Sequence, residues 1–239
     1  MIHLPNQTPL AGLFMGSISA LIDTSEMQRH AFNAAFAEAG LDWEWKRDEY
    51  REMLSVSGGR NRISDMARAR GQDVDAKALH ARKTEILQSM LMDDATVRPG
   101  VQETLSFAKK NGAAVAFVSG TNAQTVRIVS EIVTQKTGIA FDLVTSDADG
   151  HTPKPAPDLY LHALQSLNLA AAQVLVVEDN EPGVAAATAA GLSTVAFPNS
   201  NTRDGDFQDA LARVTGRLDD GLADVFGMDT TDRTASRVA

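Results

Sequence analysis

Gln173-Val174-Leu175-Val176-Val177-Glu178-Asp179-Asn180-Glu181-Pro182-Gly183 is an apolar run that stops abruptly on two carboxylates. Five residues with four branched side chains, too short for a buried helix and bounded by turn residues, read as a strand covered on both faces. Residues 183–190, rich in alanine, follow as a helix. Working outward, the same grammar repeats. Apolar runs at 10–15, 113–119, 141–145 and 193–197 each end in small or polar residues, and helical patterns occupy 100–111, 124–137 and 157–167. Strand–helix–strand alternation predicts an α/β fold with a doubly wound parallel sheet, whose ligands bind beyond the carboxyl ends of the strands.

Between the first two strands lie nearly a hundred residues, far more than one crossover helix needs. Helical patterns at 26–39, 46–56, 60–70 and 75–92 are separated by Gly40, Gly58-Gly59 and Gly71. The chain therefore divides into an α/β core over 10–24 and 96–200, a helical cap domain inserted at 25–95, and a C-terminal extension at 201–239. Residues 229–239 of that extension carry the composition of a disordered tail.

Composition narrows the chemistry. The 239 residues contain no cysteine, so disulfides, thiolate zinc sites and cysteine nucleophiles are excluded. A net charge of −9 opposes nucleic-acid or anionic-membrane partners, which need a basic surface. The five histidines form no metalloprotease-type pair, whereas the 31 carboxylates leave oxygen ligation of Mg²⁺ open. No apolar run approaches the ~20 residues that span a bilayer, and the N-terminus lacks signal-peptide features. A soluble, cytoplasmic protein is expected, as a monomer or an oligomer.

The strand ends carry the functional signals. After 113–117 come Val118-Ser119-Gly120-Thr121-Asn122, where Ser119 and the backbone at Gly120 either cradle a phosphate or cap the helix before Gln124. Lys154 sits in Thr152-Pro153-Lys154-Pro155-Ala156-Pro157, held rigidly to neutralise phosphate or carboxylates, or else exposed on a loop. Glu178 and Asp179 suit a Mg²⁺ site or an acidic helix start. Without a GxGxxG or P-loop pattern, a nucleotide-binding protein is the weakest reading.

In this order, the Ser, the Lys-Pro-x-Pro and the Glu-Asp-Asn-x-x-Gly closely resemble the later motifs of the haloacid dehalogenase superfamily, over roughly residues 10–200. The insert resembles that superfamily's helical cap, within the β-phosphoglucomutase and xylulose-1,5-bisphosphate phosphatase group. The similar stretches are Leu41-Asp42-Trp43-Glu44-Trp45, Tyr50, Gly58-Gly59-Arg60-Asn61-Arg62-Ile63 and His80-Ala81-Arg82-Lys83-Thr84-Glu85. The resemblance implies catalytic roles for Lys154 and Ser119, phosphate binding by Ser119, Gly120 and Lys154, and Mg²⁺ on Glu178 and Asp179. It also implies that Arg60, Arg62 and Lys83 meet the distal end of a small phosphorylated metabolite of sugar-phosphate type; each reads otherwise as a solvated helix charge.

The first motif departs from the family. Its strand should end in Asp-x-Asp-Gly-Thr-Leu, the first Asp forming an aspartyl-phosphate and holding Mg²⁺, the second moving the proton. Here Met15-Gly16-Ser17-Ile18-Ser19-Ala20-Leu21-Ile22-Asp23-Thr24 places Gly16 at the nucleophile and Ile18 at the acid/base position, and residues 13–22 hold no carboxylate. Neither side chain can do that chemistry. Ser17 is a surrogate nucleophile with no base beside it in the sequence, Asp23 reads as a hinge or helix-start residue, and Ser25 and Gln28 replace a Glu and a His of the pattern. Two carboxylates in place of four weaken the attraction for Mg²⁺, by ~4 kcal/mol per contact charge at an effective dielectric of about 20. Two readings follow: a phosphohydrolase using another route, such as water attack near Glu178 or Asp179, or a catalytically silent protein that binds a phospho-metabolite or a protein partner.

Overall fold

The computed structural model describes residues 4, 8–55 and 58–226. Six parallel strands form one sheet in the order β3-β2-β1-β4-β5-β6: β1 Gly12–Met15, β2 Ala114–Val118, β3 Leu143–Thr145, β4 Val174–Glu178, β5 Ser193–Ala196 and β6 Ala212–Arg213. The expected α/β sheet is present. β1 is central, with Met15 opposite both Phe117 and Val177. The residues after β1, β2 and β4 therefore emerge together at one edge.

Among the described residues ten α-helices run in chain order: α1 Ile18–Leu21, α2 Ser25–Glu38, α3 Arg47–Glu52, α4 Gly59–Arg70, α5 Ala76–Asp94, α6 Val101–Lys110, α7 Ala123–Thr137, α8 Asp158–Leu167, α9 Glu181–Ala189 and α10 Leu218–Phe226. Strand side chains alternate between the faces, as a period of two requires. Leu13, Met15, Val115, Phe117, Leu175 and Val177 pack with residues of α6, α7 and α10, whereas Phe14, Ala116, Val118, Val174 and Val176 pack with α8 and α9. Among the described residues no helix is long and apolar enough to cross a membrane.

The stretch from α2 to α5 is helical as read from sequence, and Phe32, Phe36, Trp43, Trp45 and Tyr50 give it an apolar cluster of its own. The helix expected at 46–56 is shorter: α3 ends at Glu52, a 3₁₀ turn follows at Met53–Ser55, and Val56 lies outside the described residues.

The C-terminal extension is part of the body as far as α10. β6 pairs with β5, Leu218 N–H donates to the Pro99 carbonyl at 3.0 Å, and Leu218 and Leu222 join the core. A two-residue strand has no readable period, and the partners of α10 lie over a hundred residues away, so neither element was legible. Residues 229–239 lie outside the described residues.

Candidate phosphate-binding cleft

β4 delivers Glu178 and Asp179 to the sheet edge, and the two side chains part company there. Glu178 turns inward and is fully buried. Its Oε1 accepts from Lys154 Nζ at 2.6 Å and from the Tyr160 hydroxyl at 2.6 Å. Lys154 Nζ also donates to the carbonyls of Val118, at 3.0 Å, and Gly16. The lysine thus looks back into the sheet edge rather than out toward a ligand, and burial beside Glu178 holds the Tyr160 hydroxyl well above its usual pKa.

Gly16 makes this arrangement possible. A Cβ on it would lie 2.3 Å from the Glu178 carboxyl and 2.4 Å from the Tyr160 hydroxyl oxygen. The volume a side chain at position 16 would need is already filled.

Asp179 points the other way, toward the cleft. Its Oδ1 accepts from Ser17 Oγ and, at 2.7 Å, from Asn180 Nδ2; its Oδ2 accepts from Asn199 Nδ2 at 2.8 Å. Burial and the neighbouring Glu178 raise its pKa, in that order. The carboxylate that the sequence did not place beside Ser17 is Asp179, brought there by the pairing of β1 with β4. Ser17 also caps α1, its Oγ accepting from Ala20 N–H. Ile18 is buried, and Asp23 accepts from Ser25 at the start of α2.

Sequence reasoning missed two residues here because each has partners on segments distant in the chain. Arg98 donates to the carbonyls of Ser19 at 2.8 Å, Phe197 at 2.7 Å and Pro198 at 2.8 Å, pinning the turn after β1 to the turn after β5. Asn199 holds Asp179 while its own Oδ1 accepts from the N–H groups of Asn201 and Thr202. Asn199→Ala is expected to cost about 1–2 kcal/mol in urea unfolding, because a buried carboxylate oxygen loses its donor and the turn its cap; no change would mean that water replaces the amide.

Ser119 is buried, its Oγ accepting from Thr121 N–H at 3.2 Å. It does not cap α7; Asn122 does, accepting from the N–H groups of Gln124 and Thr125. Asn180, not an acidic residue, caps α9.

Between the sheet edge and the helical insert lies a cleft of about 810 Å³. Ser17, Ile18, Gly120, Thr121, Asp179 and Asn180 line its floor, and Arg60, Arg62, Lys77, His80 and Lys83 its far wall. Of the expected phosphate group, Gly120 is on the lining, whereas Ser119 and Lys154 are behind it. Glu178, turned inward, draws the lysine with it, and the Thr121 N–H holds the Ser119 hydroxyl. All three expected cap cations reach the cleft.

The far wall is electropositive, and Lys83 is its buried member. Lys83 is buried, with the Gln28 amide oxygen and the Phe32 ring, 4.6 Å from Nζ, as its partners. Burial first, then Arg62, brings its pKa down to about 7. Burial and the cations Lys83, Arg62 and Arg60 push His80 down to about 4, so it is neutral at physiological pH.

A doubly wound α/β body with a helical insert after its first strand, and a cleft between the two, defines a cap-bearing Rossmann-like protein whose ligands meet the strand ends. A family model of haloacid dehalogenase-like hydrolases matches residues 8–191, and the chain belongs to that family. It is 34% identical over 210 residues to protein CbbY of Rhodobacter capsulatus, covering 86% of this chain and 92% of the relative. It is 29% identical over 189 residues to the fructose-1-phosphate phosphatase YqaB of Escherichia coli, covering 77% and 95%. A crystal structure of a CbbY mutant from Rhodobacter sphaeroides in complex with xylulose-1,5-bisphosphate superposes with a TM-score of 0.76 at 28% identity, covering 86% of this chain and 94% of that one.

Hydrolases of this family generally use Mg²⁺. The donors at this site do not fit that ion. Gly16 offers no carboxylate, both Glu178 oxygens face protein donors, and both Asp179 oxygens are held by side chains. Among the described residues no three His, Asp or Glu side chains gather to hold a metal.

Proposed function

We propose that this protein binds a small phosphorylated sugar in the cleft and does not run the aspartyl-phosphate chemistry of its family. One observation carries the reading: a single cleft has a cationic far wall and, at the end of its central strand, a glycine where the nucleophile's carboxylate would stand. Arg60, Arg62 and Lys83 supply charge for an anionic ligand, and Gly120 places the ligand near the start of α7, where the helix dipole favours an anion. The phosphorylated sugars named with CbbY and YqaB set the ligand class. The loss of carboxylates that weakens Mg²⁺ equally lowers repulsion toward a phosphate dianion.

Calorimetric titration with xylulose 1,5-bisphosphate and with fructose 1-phosphate tests the proposal. Saturable binding without phosphate release is expected; absence of binding by either sugar refutes it. The Ser17–Asp179 hydrogen bond on the cleft floor favours one second reading, hydrolysis by a route without an aspartyl-phosphate. Phosphate release by the unaltered chain, abolished in Asp179→Asn, would establish that reading instead.

A further inference from the structure

At the end of β1 the volume that Gly16 leaves open is taken by the Glu178 carboxyl. The Glu178 carboxyl lies between two glycines from different elements: a Cβ on Gly16 would come within 2.3 Å of it, and a Cβ on Gly183, in α9, within 2.1 Å. Both missing side chains are needed for the carboxyl to turn inward. Once there, it meets the Lys154 ammonium at 2.6 Å and the Tyr160 hydroxyl at 2.6 Å, while Lys154 also holds the carbonyls of Val118 and Gly16. The ammonium therefore has four oxygen partners from β1, β2, β4 and α8, each at a strand end or on the helix packed beneath.

We infer that the residues at this site do not fit the divalent metal of the family, and that Gly16, Tyr160, Glu178 and Gly183 form one cage around the Lys154 ammonium. The consequence is a cleft that binds phosphate groups independently of Mg²⁺. Mg²⁺ requires near-octahedral oxygen ligation and dehydrates reluctantly. Asp179, the carboxylate beside Ser17 on the cleft floor, has both oxygens taken by Ser17, Asn180 and Asn199. Lys154 and Glu178 cancel each other's charge, so that pair neither attracts a dication nor repels a phosphate dianion. The sugar-phosphate arm of this inference rests on the function proposed above; the metal arm does not.

The metal arm uses the unaltered protein. Titration with MnCl₂, followed by electron paramagnetic resonance, is expected to find no stoichiometric bound ion at micromolar to low millimolar concentration. Calorimetry with xylulose 1,5-bisphosphate is expected to give the same affinity, within about twofold, in EDTA and in excess MgCl₂. Stoichiometric Mn²⁺ binding, or sugar binding tightened tenfold or more by Mg²⁺, overturns the inference. If the sugar binds in neither condition, the proposed function fails while the Mn²⁺ result still decides the metal question.

The cage is tested by coupling. Gly16→Ala is expected to lower Tm by at least ~4 °C through overpacking. The loss should shrink by half or more in a Tyr160→Phe/Glu178→Asp background, which vacates the contested volume. Equal losses in the two backgrounds would show that the residues do not act as a unit. Should the Gly16 variants not fold, Tyr160→Phe alone gives the coupling with Glu178→Asp, and strict additivity there again overturns the cage.

Discussion

Lys154→Met is expected to lower the stability of the folded chain by about 3–5 kcal/mol, the usual cost of removing one partner from a buried ion pair. The magnitude follows from what remains. The Glu178 side chain is fully buried, and its Oε1 would keep only the Tyr160 hydroxyl as a neutral donor. The carbonyls of Gly16 and Val118 would lose their donor as well. Methionine fills much the same volume as the lysine stem, so the loss reports the charge and not a cavity. Urea unfolding followed by circular dichroism measures it. The paired variant Lys154→Met/Glu178→Gln should recover much of the loss, because no buried charge is then left unpartnered. A cost below about 1 kcal/mol for Lys154→Met would mean that water reaches Glu178, and the closed cage would be wrong.

Lys83→Met is expected to weaken binding of a sugar bisphosphate roughly 10- to 100-fold near pH 6, the worth of one hydrogen bond to a charged group. The deficit should fade as pH rises. Lys83 has a pKa of about 7 in the free protein, far below its ordinary value of 10.5. Below 7 it is charged and meets phosphate directly. Above 7 the ligand binds only with uptake of a proton, so wild-type affinity falls by up to tenfold per unit, while Lys83→Met should stay flat. The neighbouring groups do not blur the profile: His80, at about 4, is neutral throughout the range, and Tyr50, raised by burial to about 12, does not ionise within it. A pH-independent wild-type affinity between about pH 7 and 9 would remove Lys83 from the ligand site. The same depressed pKa carries a stability signature. Between about 7 and 10.5 the unfolded chain binds the proton that the folded chain has released, so the Lys83 contribution to stability grows as pH rises through that window.

Much of the site was legible because its signals are local. The run from Val174 to Val177 followed by Glu178-Asp179 announces a strand that ends in a site, and Arg60, Arg62 and Lys83 sit at positions that reach the cleft. Ser119 and Lys154 were placed on the right sheet edge, but which way they face was not legible. Ser119 spends its hydroxyl on the turn at Thr121, and Asn122, three residues on, takes the helix cap. Lys154 turns backward because Glu178 does, and Glu178 does so because Gly16 and Gly183 leave it room. Tyr160 gave no sign of its part: in α8 it reads as one more core residue on an apolar face, and its hydroxyl matters only because Glu178 lies within 2.6 Å.

The alternating α/β body, the helical insert after the first strand and the stretch from 13 to 22 with no carboxylate are all legible in the chain before it folds. Those properties are written in periodicity and residue identity, which short segments carry without their partners. The direction of each polar side chain at the strand ends was decided only by tertiary structure. Ser17 and Asp179 lie 162 residues apart in the chain and share a hydrogen bond. Arg98 finds its carbonyl partners beyond two different strands, at Ser19 after β1 and at Phe197 and Pro198 after β5. A buried charge must take whatever oxygen or donor the packed elements bring to it, because leaving it unpaired costs more than any local preference supplies. That competition is settled between distant segments, where no window of sequence can display it.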